Sequence, residues 1–197
     1  MATKDRQILI TQIVSDVLEE KYNPEQTYDW FINQHKPEHF KVYFKNISSI
    51  FTSLKGKPEL NSIRKLHPDA YFGGKYNMFF EFDEIEHFST ARFYTYKHYP
   101  PELQLNYSIT DWQNYCQANQ LKANKYRAKK TTDDFNFIGG RTAQRAYRDC
   151  FSDLLPTLHG LNPTLRIAEF EVSNVKFNDE FGRKVIQNIL KKKLQHL

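Results

Sequence analysis

The run His67-Pro68-Asp69, followed after eleven residues by Glu81-Phe82-Asp83-Glu84-Ile85-Glu86-His87, concentrates the side chains best suited to chemistry. Carboxylates brought together supply the oxygen ligands that a hard divalent cation such as Mg²⁺ or Mn²⁺ prefers. A cation so held can bridge a phosphate, orient a water and neutralise charge as a phosphodiester is cut. His87, just beyond, is of the type that exchanges a proton near neutrality, and could act as base, acid or further ligand. The ordinary account is that acidic residues are common at strand ends and that a lone histidine is more often a packing residue. Against it, Glu81 is flanked by Phe79, Phe80 and Phe82, where an isolated carboxylate is costly without a cation or a basic partner. The expected metal ligands are therefore Asp69, Glu81 and Asp83, and the expected catalytic group is these three with His87.

The elements that must position these residues follow from periodicity. His67 to Phe72 and Asn77 to Glu84 read as two strands joined by a turn at Gly73-Gly74-Lys75-Tyr76. In the second strand Met78, Phe80 and Phe82 share one face, while Phe79, Glu81 and Asp83 share the other, which sets two carboxylates side by side. Before the strands, the helical period marks Ile10 to Leu18, a short helix with Tyr28 and Phe31, and Phe40 to Leu54 with Gly56 at its C-terminal cap. Pro58 opens a further short helix carrying Ile63 and Leu66. After the strands come a short aromatic helix capped by Ser89, and another at Trp112 to Cys116 opened by Thr110 or Asp111. A patterned helix follows from Arg141 to Leu155, then a strand from Leu165 to Val172 and a final helix from Glu180 to Leu194.

The helix from Arg141 sorts into two faces. Ala143, Ala146, Tyr147, Cys150, Phe151 and Leu154 form an apolar stripe, and Arg141, Gln144, Arg145 and Arg148 a polar one. Arg and Gln grip phosphates and read base edges, so Arg141, Gln144 and Arg145 are candidate nucleic-acid contacts. Arg92 joins them if Ser89 starts a helix beside the same site. The plainer alternative is a solvated face paired with Asp149 and Asp153. Lys122, Lys125, Arg127, Lys129 and Lys130 add a basic segment next to an expected loop.

Pro68-Asp69, a turn and then Glu81-Phe82-Asp83 resembles the core motif of the PD-(D/E)XK nuclease superfamily. The run Phe80-Glu81-Phe82-Asp83-Glu84 followed by His87 is most similar to its very-short-patch-repair endonuclease-like branch, whose members often show Glu-x-Asp with a histidine a few residues on. The resemblance covers roughly residues 58 to 175 and leaves the first 57 unmatched. It implies an α/β fold with a restriction-endonuclease-like core, a small mixed β-sheet flanked by helices, and a helical N-terminal segment. It also implies metal-dependent hydrolysis of phosphodiester bonds in DNA, with Mg²⁺ or Mn²⁺ as cofactor. Cutting with two-fold symmetry would need a homodimer. One departure stands out: Asp83 occupies the position usually held by lysine. A second reading therefore stays open, a DNA-binding or assembly module that kept the scaffold and lost cutting.

Composition sets the frame. The 197 residues are 40% apolar and 15% aromatic, as a folded domain requires, and no linker composition divides them. One domain is expected, with residues 1–57 helical, 58–175 the core and 176–197 the C-terminal helix. Twenty-eight Lys and Arg against 23 Asp and Glu leave +5, a modest lean towards polyanions. No run approaches the roughly 18 apolar residues of a membrane span, and Met1 to Asp5 show no signal-peptide pattern. Two cysteines, Cys116 and Cys150, are too few for a disulfide framework or a zinc module. A cytoplasmic protein is the expectation. Phosphate-loop, dinucleotide, serine-hydrolase and zinc-protease motifs are all missing from the sequence.

Overall fold

The computed structural model describes residues 3–58 and 62–195. It is a mixed α/β structure built on one four-stranded sheet. The elements in chain order are α1 (Thr3–Leu18), β1 (Tyr22–Asn23), α2 (Pro37–Phe40), α3 (Phe44–Ser53), β2 (Ala70–Phe72), β3 (Met78–Asp83), α4 (Thr90–Thr95), α5 (Ile109–Lys125), α6 (Gly140–Leu158), β4 (Asn162–Ala168) and α7 (Glu180–Lys193). The strands lie in sequence order, β1-β2-β3-β4; β1 and β3 run antiparallel to β2, while β4 runs parallel to β3. A parallel neighbour needs a long crossover, and the chain from α4 to α6 provides it.

The sheet is covered on both faces because β3 is apolar on both faces at its start. Met78, Phe80 and Phe82 pack with Ile10, Ile13, Val14, Ile186 and Leu190, so α1 and α7 cover that side. Phe79 points the other way, into a core with Phe31, Trp112, Tyr147, Phe151 and Leu154. The period-two alternation read from the sequence therefore holds. Between β3 and β4 the register slips, with Met78 opposite Asn162 but Phe80 opposite Leu165. The slip falls at Pro163, which has no N–H to give to the ladder.

Several boundaries move, each for a local reason. Tyr28 and Phe31 belong to no helix: residues 31–33 pair with 64–66 through the Ile32–Lys65 bridge, the Leu66 N–H donating to the Phe31 carbonyl at 2.7 Å. The same pairing holds residues 62–66 out of the helix expected after Pro58; positions 59–61 of that helix lie outside the described residues. The cap of α5 is Ser108, whose hydroxyl accepts from the Asp111 N–H, rather than Thr110 or Asp111. The last strand occupies 162–168 instead of 165–172, the chain turning away after Ala168. At the end of α3 the left-handed residue is Lys55, with Gly56 one place further, its N–H donating back to the Phe51 carbonyl at 2.9 Å. Among the described residues no helix is long and apolar enough to cross a membrane.

Candidate functional site

Asp69 and Glu81 come together at the open end of the β2–β3 pair. The ladder ends at Ala70 opposite Phe80, and one more step of that register puts Asp69 across from Glu81. There the Asp69 carboxylate replaces a backbone acceptor: the Phe82 N–H donates to its Oδ2 at 2.8 Å. Glu81 reaches the other way, towards α6, where the Ser152 hydroxyl donates to its Oε1 at 2.7 Å. Burial and then the Asp69 charge push the Glu81 carboxyl up to about 8. Burial likewise raises Asp69. Two carboxylates share one low-dielectric spot and disfavour each other's charge.

Asp83 lies on the same face but is committed elsewhere. Arg166 Nη1 of β4 donates to its Oδ1 at 2.6 Å, and the indole N–H of Trp112 donates to Oδ2 at 2.8 Å. His87 stands at the strand end with Nδ1 at 3.0 Å from Asp149 Oδ1 of α6 and 3.6 Å from Asp83 Oδ1. Burial would lower its pKa, but the Asp149 charge and hydrogen bond, with Asp83 behind, push it up to about 9. The imidazole thus carries its proton at neutral pH. Asp149 itself falls well below the usual carboxylate range: burial opposes this, and His87, Arg92 and Arg166 outweigh it.

Behind these groups runs a buried ionic network. Arg166 donates from Nε to Asp153 Oδ1 at 2.7 Å and from Nη2 to the Asp149 carbonyl at 2.9 Å. Arg92 donates from Nη2 to Asp153 Oδ2 at 2.6 Å, an oxygen that also accepts from the Tyr99 and Tyr107 hydroxyls at 2.5 and 2.8 Å. With His87 protonated, three cations face Asp83, Asp149 and Asp153. Such a network is tolerated in a core because every member is bonded.

This overturns the expectation for Arg92. The residue is only 1% exposed and holds Asp153, so it cannot touch a nucleic acid. Ser89 does cap α4, accepting from the Arg92 N–H at 3.1 Å, and that cap turns Arg92 inward. Asp149 and Asp153 likewise are not partners of a solvated helix face.

The cations on the polar stripe of α6 line two pockets. A cleft of about 190 Å³ is lined by Glu81 and His87 on one side and by Arg141, Arg145 and Arg148 of α6 on the other. Gln144 turns to the neighbouring pocket, where Arg141 Nη1 donates to its Oε1 at 2.6 Å. Arg145 lies over the Tyr126 ring, 5.1 Å from its centroid. Asp149, Ser152 and Arg166 are site residues that sequence reasoning missed. Asp149 borders the apolar stripe of α6 and Ser152 lies among its arginines, and only the identity of what that helix packs on separates them from surface residues.

Of the three carboxylates expected to hold a divalent cation, the structure brings two together. Asp69 and Glu81 lie together and repel, whereas Asp83 has both oxygens engaged. Among the described residues no group of three or more His, Cys, Asp or Glu side chains is arranged to hold a metal ion. Comparison with known proteins finds no matching family model, no matching curated protein and no matching solved structure.

Proposed function

We propose that this chain is a metal-dependent endonuclease acting on DNA, on the restriction-endonuclease-like plan. The observation that carries the reading is the single cleft in which Glu81 and His87 face Arg141, Arg145 and Arg148. A mixed sheet with helices on both faces, and Asp69 paired with Glu81 at its open end, accords with it. Asp69 and Glu81 would hold Mg²⁺ or Mn²⁺, which when bound neutralises charge on the phosphate and eases attack by water. The guanidiniums across the cleft bind the phosphodiester and offset the carboxylates' repulsion of it. As water forms a bond to phosphorus and loses its proton to solvent, the P–O bond to the leaving oxygen breaks, and His87, held by Asp149 in its protonated form, gives that oxygen its proton as general acid. Asp83 is a positioning residue, steadying β3 against Arg166 and Trp112. The reading places the protein in a reducing cytoplasm, where the buried thiols of Cys116 and Cys150 stay as they are.

One observation favours a DNA-binding module without cutting: the position usually held by lysine is Asp83, and among the described residues no lysine lines the cleft. A plasmid-nicking assay with Mg²⁺, Mn²⁺ or chelator separates the two. Nicking that needs a metal and disappears in Glu81→Gln is the expected result. DNA binding with no nicking in either metal would replace the enzyme by the module.

A further inference from the structure

The N-terminal end of α6 carries a second cationic pocket, of which the chemistry above uses only the shared wall, Arg141 and Arg148. Its volume is about 380 Å³, and Arg64, Arg127, Lys130, Arg141 and Arg148 line it against two carboxylates, Asp133 and Asp134. The cations come from three separate stretches, and the backbone fixes each one. The Arg64 N–H donates to Asn33 Oδ1 at 2.8 Å, and the Arg64 carbonyl accepts from the Asn33 N–H at 3.0 Å. The loop with Arg127 and Lys130 is tied to α6: the Gly139 N–H donates to the Ala128 carbonyl at 2.7 Å, and the Arg141 N–H to the Lys130 carbonyl at 3.1 Å. Arg127 holds a left-handed conformation, φ 51°, which costs a residue with a side chain energy that packing must offset.

The crowding of these cations calls for an anion. Burial and then the charges of Arg145, Arg148 and Arg127 lower the pKa of Arg141, and burial with Arg64 nearby lowers Arg148 despite Asp134. The cations are crowded enough to repel each other. A phosphate pairing with the guanidiniums would relieve that repulsion. Arg141 and Arg148 line this pocket and the Glu81 cleft alike, so the two adjoin.

We propose that this pocket binds a backbone phosphate of the DNA strand running out of the cleft, an inference that rests on the DNA reading above. A free phosphate ion shares the same chemistry, so the test separates the two sources. Fluorescence anisotropy of a labelled duplex in chelator is measured over a range of salt, alongside calorimetric titration with inorganic phosphate, for the wild type and Arg64→Ala/Arg127→Ala. The slope of log affinity against log salt should become shallower by about two in the double variant. If that variant does not fold, Lys130→Ala reads the same slope, shallower by about one. An unchanged slope overturns the proposal. Phosphate heat lost while the slope is unchanged also overturns it, leaving a site for the free ion. A shallower slope in a protein that nicks DNA in neither metal upholds the pocket and removes the cutting reading instead.

Discussion

His87 and Asp149 tie the protein's stability to pH. A histidine whose pKa rises on folding, from its ordinary 6.5 to about 9 here, adds stability that is fully present below about 6.5 and is lost as pH climbs through about 9. Urea unfolding between about pH 6 and 10 should show that decline, and His87→Asn should flatten it. A decline of undiminished size in the variant would assign it to other groups. The arginines divide just as sharply. Arg92→Met strands the buried Asp153 without one of its cations and is expected to cost about 3–5 kcal/mol in urea unfolding. Arg145→Ala removes a cation from the cleft wall. It should leave the unfolding midpoint nearly unchanged while making the salt dependence of DNA binding shallower by about one phosphate contact. The reverse pattern would mean that their positions have been misassigned.

Among the elements, α6 positions most of the site because it has three uses for its surface. Ala146, Tyr147, Phe151 and Leu154 enter the core, Asp149 and Asp153 anchor the ionic network, and Arg141, Arg145 and Arg148 face the cleft. Its start is set by glycines. Gly139 has φ 91°, a backbone conformation glycine adopts without penalty, and Gly140 lies so close to the Phe135 carbonyl that an added Cβ would overlap it. Gly140→Ala is therefore expected to destabilise the fold by more than about 2 kcal/mol, because the overlap is with backbone and cannot be relieved by a side-chain rotation. It should also weaken DNA binding, since the loop bearing Arg127 and Lys130 must shift. Normal stability and binding in that variant would show that the helix start adapts freely. The cap on α4 is a smaller matter: Ser89→Ala should cost about 1 kcal/mol.

For the whole molecule, β3 is the organising strand, because its two faces belong to two cores. Phe79 packs on Tyr28, Trp30, Phe31 and Tyr71, with Phe31 5.1 Å away between ring centroids, and is fully buried. Phe79→Ala should cost about 3–5 kcal/mol in urea unfolding, and a loss below about 1 kcal/mol would mean the aromatic layer closes over the gap. Features with a short repeat were legible in the sequence. The alternation in β3 placed Glu81 and Asp83 on one face, the 3.6-residue period split α6 into an apolar and a cationic stripe, and Ser89 was readable as a cap. Each of these depends on backbone geometry over a few residues. The roles of Asp83, Arg92, Asp149 and Arg166 were not legible, nor was the pairing of residues 31–33 with 64–66. An aspartate in a helical pattern reads as solvated until the partner is known, and Arg166 meets Asp83 from 83 residues away. Only the packing of β4 beside β3, and of α6 across both, decides which charges are buried together. Burial in turn decides which carboxylates pair with cations, and it leaves Asp69 and Glu81 side by side with raised pKa values.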